Sequence, residues 1–318
     1  MITNPAVIVL GAGASIPYGY PSGAGLVKDV VQKIGNMDWI AIIDAFGLHR
    51  SELNVLRSEL LLSQKPSIDA FLEQRPEFLD AGKVAIAFSL LSRETPDIFN
   101  DLEGSSEGIY PSLFNSLKAS WEEIKQNKLT IVTFNYDRSL EYFLFSTLKR
   151  SYNKSDSEIA EAMQYLPIIH VHGSLGPLPW QAPGGIDYYP LFGTGNPAIE
   201  MQRRIKVACE NIVIVFQTQP KSNEFKLAYE RLKEANKIYF LGFGYNTDNL
   251  EMLGLSQLDI YDPLRRPKTS NSELKLYRGS ALGLGDAQIQ EIQNRWHIAL
   301  PDNKSNALEF LREYMDLS

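Results

Sequence analysis

Cysteine is almost absent from this 318-residue chain: Cys209 stands alone, so no internal disulfide can form and no cysteine-based zinc site can be built. Long apolar runs are missing as well. No stretch approaches the roughly 20 apolar residues of a membrane-spanning helix, so neither a span nor a membrane partner is expected. The first apolar run, residues 6–10, has no basic stretch before it and no small-residue cleavage site after it, which reads as a cytoplasmic protein without an export signal. Positive charge is in deficit, with 31 Lys and Arg against 38 Asp and Glu and a formal net charge of −7. That balance argues against a strong nucleic-acid footprint, which needs clustered cations to release counterions. Short basic runs at Arg203, Arg204 and Lys206 and at Arg265, Arg266 and Lys268 are read as solvated surface. A Walker A motif is missing too: no Gly-Lys precedes Ser or Thr, so nucleoside triphosphate hydrolysis is not supported.

What is present is the composition of a folded α/β protein, with 44% hydrophobic residues and enough length for one large domain. Residues 6–10 (AVIVL) form a continuous β-branched run closed by a Gly-rich turn, the pattern of a buried parallel strand. Leu26, Val27, Val30, Val31 and Ile34 then recur at helical spacing. From about residue 38 to 126 the chain stays helix-like, too long for a simple strand–helix–strand unit. We read residues 35–127 as a helical insertion within a single domain of residues 1–318. Strand signals follow at 129–134, 167–171, 211–216, 237–241 and 258–261, with helical segments between most of them. The predicted fold is a Rossmann-like parallel sheet flanked by helices. The Gly-, Pro- and aromatic-rich segment 175–197 is expected to be an ordered loop, or a lid.

Unusual residues fall where strands end. Gly11, Ala12 and Gly13 follow the first strand, Asn135 and Asp137 the second, His172, Gly173 and Ser174 the third, and Gly242 and Gly244 a later one. Carboxyl ends of parallel strands share one edge, and ligands bind beyond that edge where the strand order reverses. Four distant patches should therefore meet in one crevice. The Gly-rich turn alone is a weak signal. It offers a tight turn and close approach to a pyrophosphate, yet the third position of G-x-G-x-x-G is Ile16, and no acidic residue ends a second strand about 20 residues on.

Gly11, Ala12, Gly13, Ala14 and Ser15, then Thr133, Phe134, Asn135, Tyr136 and Asp137, then His172, Gly173 and Ser174 resemble, in that order, the three signatures of the sirtuin superfamily. The loop Gly242, Phe243, Gly244, Tyr245 and Asn246 is similar, more weakly, to a later loop that holds the adenosine ribose in that family. Residues 67–72 (SIDAFL) resemble a segment of bacterial sirtuin-like phage-defence proteins. The resemblance spans about residues 6–250 and implies NAD⁺ as substrate. It places Gly11, Ala12, Gly13, Ser15, Gly173, Ser174, Gly242, Gly244 and Asn246 around the dinucleotide. Residues 17–21, Tyr20 among them, would form a flexible loop over it.

On the same resemblance, Asn135 would bind the nicotinamide ribose or the attacking water, and His172 would be the general base. Asp137 either stabilises a cationic sugar or caps the helix beginning near Arg138, with the cap slightly favoured. Asp69 either contacts the ribose or simply faces water. His170, two residues before His172 and therefore on the same strand face, is a supporting partner or a core histidine. Sirtuin deacylases carry a four-cysteine zinc ribbon that this chain lacks. The expected activity is accordingly hydrolysis of NAD⁺ to nicotinamide and ADP-ribose, without zinc, as in anti-phage effectors that deplete NAD⁺. Control would come through a homo-oligomer or a separate partner such as a ring-shaped ATPase. An NAD⁺ or ADP-ribose sensor without turnover, a protein ADP-ribosyltransferase and a deacylase are the alternatives.

Overall fold

The computed structural model describes residues 1–35, 44–99, 108–117, 120–191, 197–214, 222–258 and 276–317. Its sheet has five strands: β1 (Ala6–Leu10), β2 (Leu129–Thr133), β3 (Ile168–His170), β4 (Lys237–Leu241) and β5 (Leu276–Gly279). Their order is β3-β2-β1-β4-β5 and every pairing is parallel, with Leu10 opposite both Thr133 and Leu241. The sheet is Rossmann-like, as predicted. Order reverses at β1, since the chain moves outward to β2 and β3 on one side and returns to β4 and β5 on the other.

Twelve helices cover the two faces among the described residues: α1 (Gly23–Gly35), α2 (Arg50–Leu62), α3 (Ile68–Gln74), α4 (Leu79–Leu91), α5 (Ile109–Leu117), α6 (Ser139–Tyr152), α7 (Asp156–Met163), α8 (Pro197–Asn211), α9 (Asn223–Glu234), α10 (Thr247–Met252), α11 (Asp286–Trp296) and α12 (Ala307–Tyr314). Successive strand side chains point to opposite faces, and this alternation splits the core. Ile8, Leu10, Ile131, Tyr239 and Leu241 face a layer built from α1 to α8 and α12. Val7, Val9, Val132, Ile238 and Phe240 face the other, where α9, α10 and α11 supply Phe225, Leu232, Leu250, Ile292 and Trp296. Strands buried on both sides need apolar residues at every position, which is why β1 reads as a continuous run.

Helices α1 to α5 lie between β1 and β2, with α2 to α5 inside residues 35–127, the stretch read as an insertion. They have no core of their own: Leu56, Phe71, Ile86 and Leu113 pack in the same cluster as Ile8 and Leu10. Helix α4 is buried nearly all round, Lys83 excepted in its last nine positions, so it runs through the middle of that layer.

One expected strand differs from the structure. The run 211–216 is not a strand in its described part; Asn211 ends α8, and Ile212 makes only an isolated antiparallel bridge to Gly173. Ile212 and Ile214 are buried against the α1–α6 layer, so the apolar residues fill a core position without joining the sheet. Of the expected strand 258–261, only Leu258 lies among the described residues, and it follows a short 3₁₀ turn. The strand Leu276–Gly279, which the sequence reading did not mark, is the fifth of the described sheet. Segment 175–191 is an ordered loop, the first of the two readings given for it, and is held down too firmly to be a lid. Arg138, almost fully buried, donates to the Gly176, Pro177, Ile186 and Asp187 carbonyls, and Arg204 donates to Asp187, Tyr189 and Pro190. Glu94, entirely buried, pairs with both guanidinium groups at 2.7 and 2.8 Å. Arg204 is thus a structural pin and not solvated surface; Arg265, Arg266 and Lys268 lie outside the described residues.

No described helix is long and apolar enough to cross a membrane.

Candidate active site

A cleft of about 1070 Å³ opens beyond the carboxyl edge of the sheet, at the point where strand order reverses. Gly11, Ala12 and Gly13 after β1, Asn135 after β2, His172 after β3, Gly242 and Gly244 after β4, and Ser280 after β5 all line it. Helix α3 contributes Asp69 and Glu73 from the insertion, and α11 and α12 close the far end with Gln288, Trp296 and Leu308. Residues separated by almost three hundred positions meet here because parallel strands place all their carboxyl ends on one rim.

The glycines of the first turn have a specific reason to be glycine. A Cβ on Gly11 would lie 2.5 Å from the Gly242 carbonyl oxygen, and one on Gly13 would lie 2.7 Å from the Gly242 Cα. Gly242 itself has φ +57°, in the left-handed region. The two loops are also hydrogen-bonded: Gly11 N–H donates to Leu241 and Gly13 N–H to Gly242, at 3.0 and 2.9 Å. Two of the amides that sequence reasoning offered to a pyrophosphate are therefore engaged by the β4 loop. Ala12 sits at the tip of the turn and lines the cleft.

Asn135 is held by its surroundings on several sides. Its Nδ2 donates to the Gly11 carbonyl at 3.0 Å and to Ser15 Oγ at 2.9 Å, and its backbone N–H donates to Thr133 Oγ1. A carbonyl can only accept, so the Gly11 contact fixes which end of the amide is nitrogen. Oδ1 is then the end left for a ligand, as an acceptor. Ser15 does not reach the cleft; its hydroxyl is buried between Asn135 and Tyr110.

His172 lies past the end of β3 in a turn, and the period-two rule no longer governs it. Its ring packs edge-on against Phe225 of α9 at 5.7 Å and beside Phe134 at 5.5 Å. Burial lowers its pKa below the ordinary histidine value, with Asp69 and the Val213 backbone pulling the other way. Nδ1 is buried without a hydrogen-bond partner among the described residues. An unsatisfied buried nitrogen is uncommon in a folded protein and fits a group that meets a ligand or water. A neutral imidazole beside an asparagine acceptor can take a proton from a hydroxyl or a water held between them.

His170 does not partner His172. It reaches into the opposite layer, where Nδ1 lies 2.7 Å from the Asn135 carbonyl oxygen and Nε2 lies 2.5 Å from Glu141 Oε1 of α6. Asp69 accepts a short hydrogen bond from the Tyr136 hydroxyl, and Ser67 caps the helix that carries it, accepting from Ala70 N–H at 3.2 Å.

Other expected site residues have structural tasks. Asp137 is buried away from the cleft and accepts from the Ser139 backbone and hydroxyl at the start of α6; burial raises its pKa. Gly173 has φ +71°, and a Cβ there would overlap the Asn211 carbonyl. Ser174 Oγ accepts from Gly176 N–H. Tyr20 is buried with its hydroxyl 2.9 Å from that of Tyr188, and Tyr18 stacks on Tyr110, so segment 17–21 is packed down and not a loose cover. Only Pro17 of that segment lines the cleft, beside Ile16. Asn246 lines the cleft but uses its Oδ1 to cap α10, accepting from Asp248 and Asn249. Sequence reasoning missed Glu73, one helical turn after Asp69 on the cleft-facing side of α3, and Ser280, whose Oγ accepts from Gly242 N–H at 3.0 Å. Spacing could have found Glu73; nothing local marks Ser280.

Among the described residues, no group of three or more His, Cys, Asp or Glu is placed to hold a metal ion. In comparison with known proteins, the sequence matches no family model and no curated protein.

Proposed function

We propose that this chain is an NAD⁺ glycohydrolase, cleaving the bond between nicotinamide and ribose to give nicotinamide and ADP-ribose. The observation that carries the reading is that Asn135 and His172, from the ends of neighbouring strands β2 and β3, line one cleft at the strand-order reversal, with the Asp69 carboxylate across from them on α3. NAD⁺ enters here as substrate, and no zinc is required by the chemistry.

In the proposed reaction the C–N bond to nicotinamide breaks and its electron pair returns to the pyridinium ring, which leaves neutral. Positive charge moves to the ribose. Asn135 Oδ1, its Nδ2 already engaged by the Gly11 carbonyl, accepts from a ribose hydroxyl or from the attacking water. The water oxygen bonds to the sugar carbon and its proton passes to neutral His172, whose Nδ1 has no partner among the described residues. Asp69 supplies negative charge toward the developing cation.

The role proposed for this activity, resting on the sequence resemblance, is depletion of NAD⁺ in a phage-infected cell by a cytoplasmic protein. Its restraint would come from assembly with itself or with a ring ATPase. Nicotinamide release from NAD⁺ tests the chemistry, measured for wild type and for Asn135→Ala and His172→Ala. Release by wild type and a drop of about 100-fold or more in each variant is expected. Wild type silent in every assembly state, or variants as fast as wild type, overturns it. Tight ADP-ribose binding with no turnover would make the protein a sensor.

A further inference from the structure

His170 sits between a backbone carbonyl, which can only accept, and the carboxyl group of Glu141, which can only accept when ionised. The Asn135 backbone carbonyl oxygen is 2.7 Å from Nδ1, and Glu141 Oε1 is 2.5 Å from Nε2. A carbonyl has no proton to give, so Nδ1 must carry one. The carboxylate opposite then calls for a second on Nε2, giving an imidazolium flanked by its counter-ion. Both members of the pair are well buried, with side-chain exposures of 12% and 5%. Burial by itself disfavours the charge on His170. Glu141, with the Asn135 carbonyl and Asp137 adding to it, outweighs burial and raises the pKa above the ordinary value.

The contact matters because of what the Asn135 peptide carries. Its carbonyl is pinned by His170, its N–H by Thr133 Oγ1 and its side-chain Nδ2 by Gly11 and Ser15. Three sides of one residue are thus fixed by β1, β2 and β3, which leaves Oδ1 in a set position at the cleft. We propose that His170, as an imidazolium clamped by Glu141, is a positioning residue that fixes the Asn135 acceptor for the reacting ribose or water. The proposal rests on the NAD⁺ glycohydrolase reading for its catalytic consequence alone; the clamp itself does not depend on the substrate.

Long-range ¹H–¹⁵N spectra of the full chain read ring protonation without turnover. Across about pH 5 to 8, His170 is expected to show two protonated nitrogens while His172 shows one over the upper part of that range. The His170→Gln spectrum assigns the signal. In Glu141→Gln, which keeps size and hydrogen-bonding capacity, His170 is expected to lose its second proton within the same range, and the Asn135 side-chain amide signal is expected to shift. A His170 that is neutral near pH 7, or an Asn135 amide unmoved in both variants, overturns the clamp whatever the fate of NAD⁺ hydrolysis. In the activity assay, both variants are expected to lower kcat by about 10- to 100-fold with KM for NAD⁺ changed about twofold at most, since misplacement of a reacting group acts on the chemical step. Unchanged kcat with the spectra as expected would overturn the positioning role. Wild-type inactivity with the same spectra would instead count against the glycohydrolase reading.

Discussion

Two histidines two positions apart are pushed in opposite directions, and that contrast sets the pH behaviour. His172, kept neutral by burial, stays available as a base as pH falls through about 6.5, so the acid limb of kcat/KM for NAD⁺ is expected below that value. A pH–rate profile breaking above about 7 would contradict this assignment. Stability follows the same linkage. With its folded pKa depressed, His172 contributes stability that is full above the unfolded value near 6.5 and lost as pH falls toward its folded pKa. His170, with its folded pKa raised, contributes stability that is full below about 6.5 and lost as pH rises through its folded pKa. Urea unfolding across this range should show His172→Phe flattening the acid side and His170→Gln the alkaline side. Asn135 and His172 could be picked out of the sequence because an amide and an imidazole stand out just past apolar strands, whereas Asp69, on helix α3, stands out only within the segment 67–72 that carries the resemblance. Glu141 could not. Its importance comes from a contact with His170 that only the stacking of α6 on β3 creates. Nor could the sequence separate Gly13, which lines the cleft, from Gly173, which accommodates the Asn211 carbonyl; a glycine records that space is short but not what fills it.

At the scale of elements, the cleft depends on loops that touch backbone to backbone. Gly242→Ala would drive a methyl group into the Gly13–Ala14 backbone at a left-handed φ, so a loss of more than about 1 kcal/mol and weaker ADP-ribose binding are expected together. Denaturant midpoints and calorimetry check both, and a neutral Gly242→Ala would show that the β1 and β4 loops are free to separate. Helix α3 is a gentler case. Removing its cap with Ser67→Ala should cost about 0.5–2 kcal/mol and lower kcat by loosening Asp69, whereas Ser67→Asp should keep both. Strands β1, β2 and β4 were readable because each is buried on both faces and therefore rich in apolar and β-branched residues, β1 without interruption. Strand β5 was not: at the sheet edge it needs only alternate buried positions, and its LYRG sequence alternates intermediate and buried residues. The mistaken strand at 211–216 has the opposite origin. A short apolar run signals burial, and Ile212 and Ile214 are buried, but periodicity over so few residues cannot distinguish a strand from a loop packed on a helix.

For the molecule as a whole, the buried Glu94–Arg138–Arg204 cluster ties α4 and α6 to α8 and to segment 175–191. Glu94→Ala would leave two guanidinium groups buried without a counter-ion, and a destabilisation of about 3–5 kcal/mol is expected in chemical unfolding. A change under about 1 kcal/mol would mean that water or another group replaces the carboxylate. Ligand linkage gives a second whole-molecule measurement. ADP-ribose at about 100 times its Kd should add about 2.7 kcal/mol to unfolding stability in wild type. No gain in wild type would remove the dinucleotide from the cleft altogether.

The position of β1 has a consequence for synthesis. Of the five described strands it is the first in the chain and also the middle one of the sheet, with both edges waiting: β2 begins 123 positions later at Leu129 and β4 at Lys237. Such long-range pairings close slowly. Until they do, an apolar ribbon stays open on a nascent chain and invites a chaperone. The rim near Gly11 is walled on its far side by Asn306, Ala307 and Leu308, so a chain stalled before those residues holds no finished pocket. Under the proposed glycohydrolase reading, the chain would thereby be inactive while it is still being made.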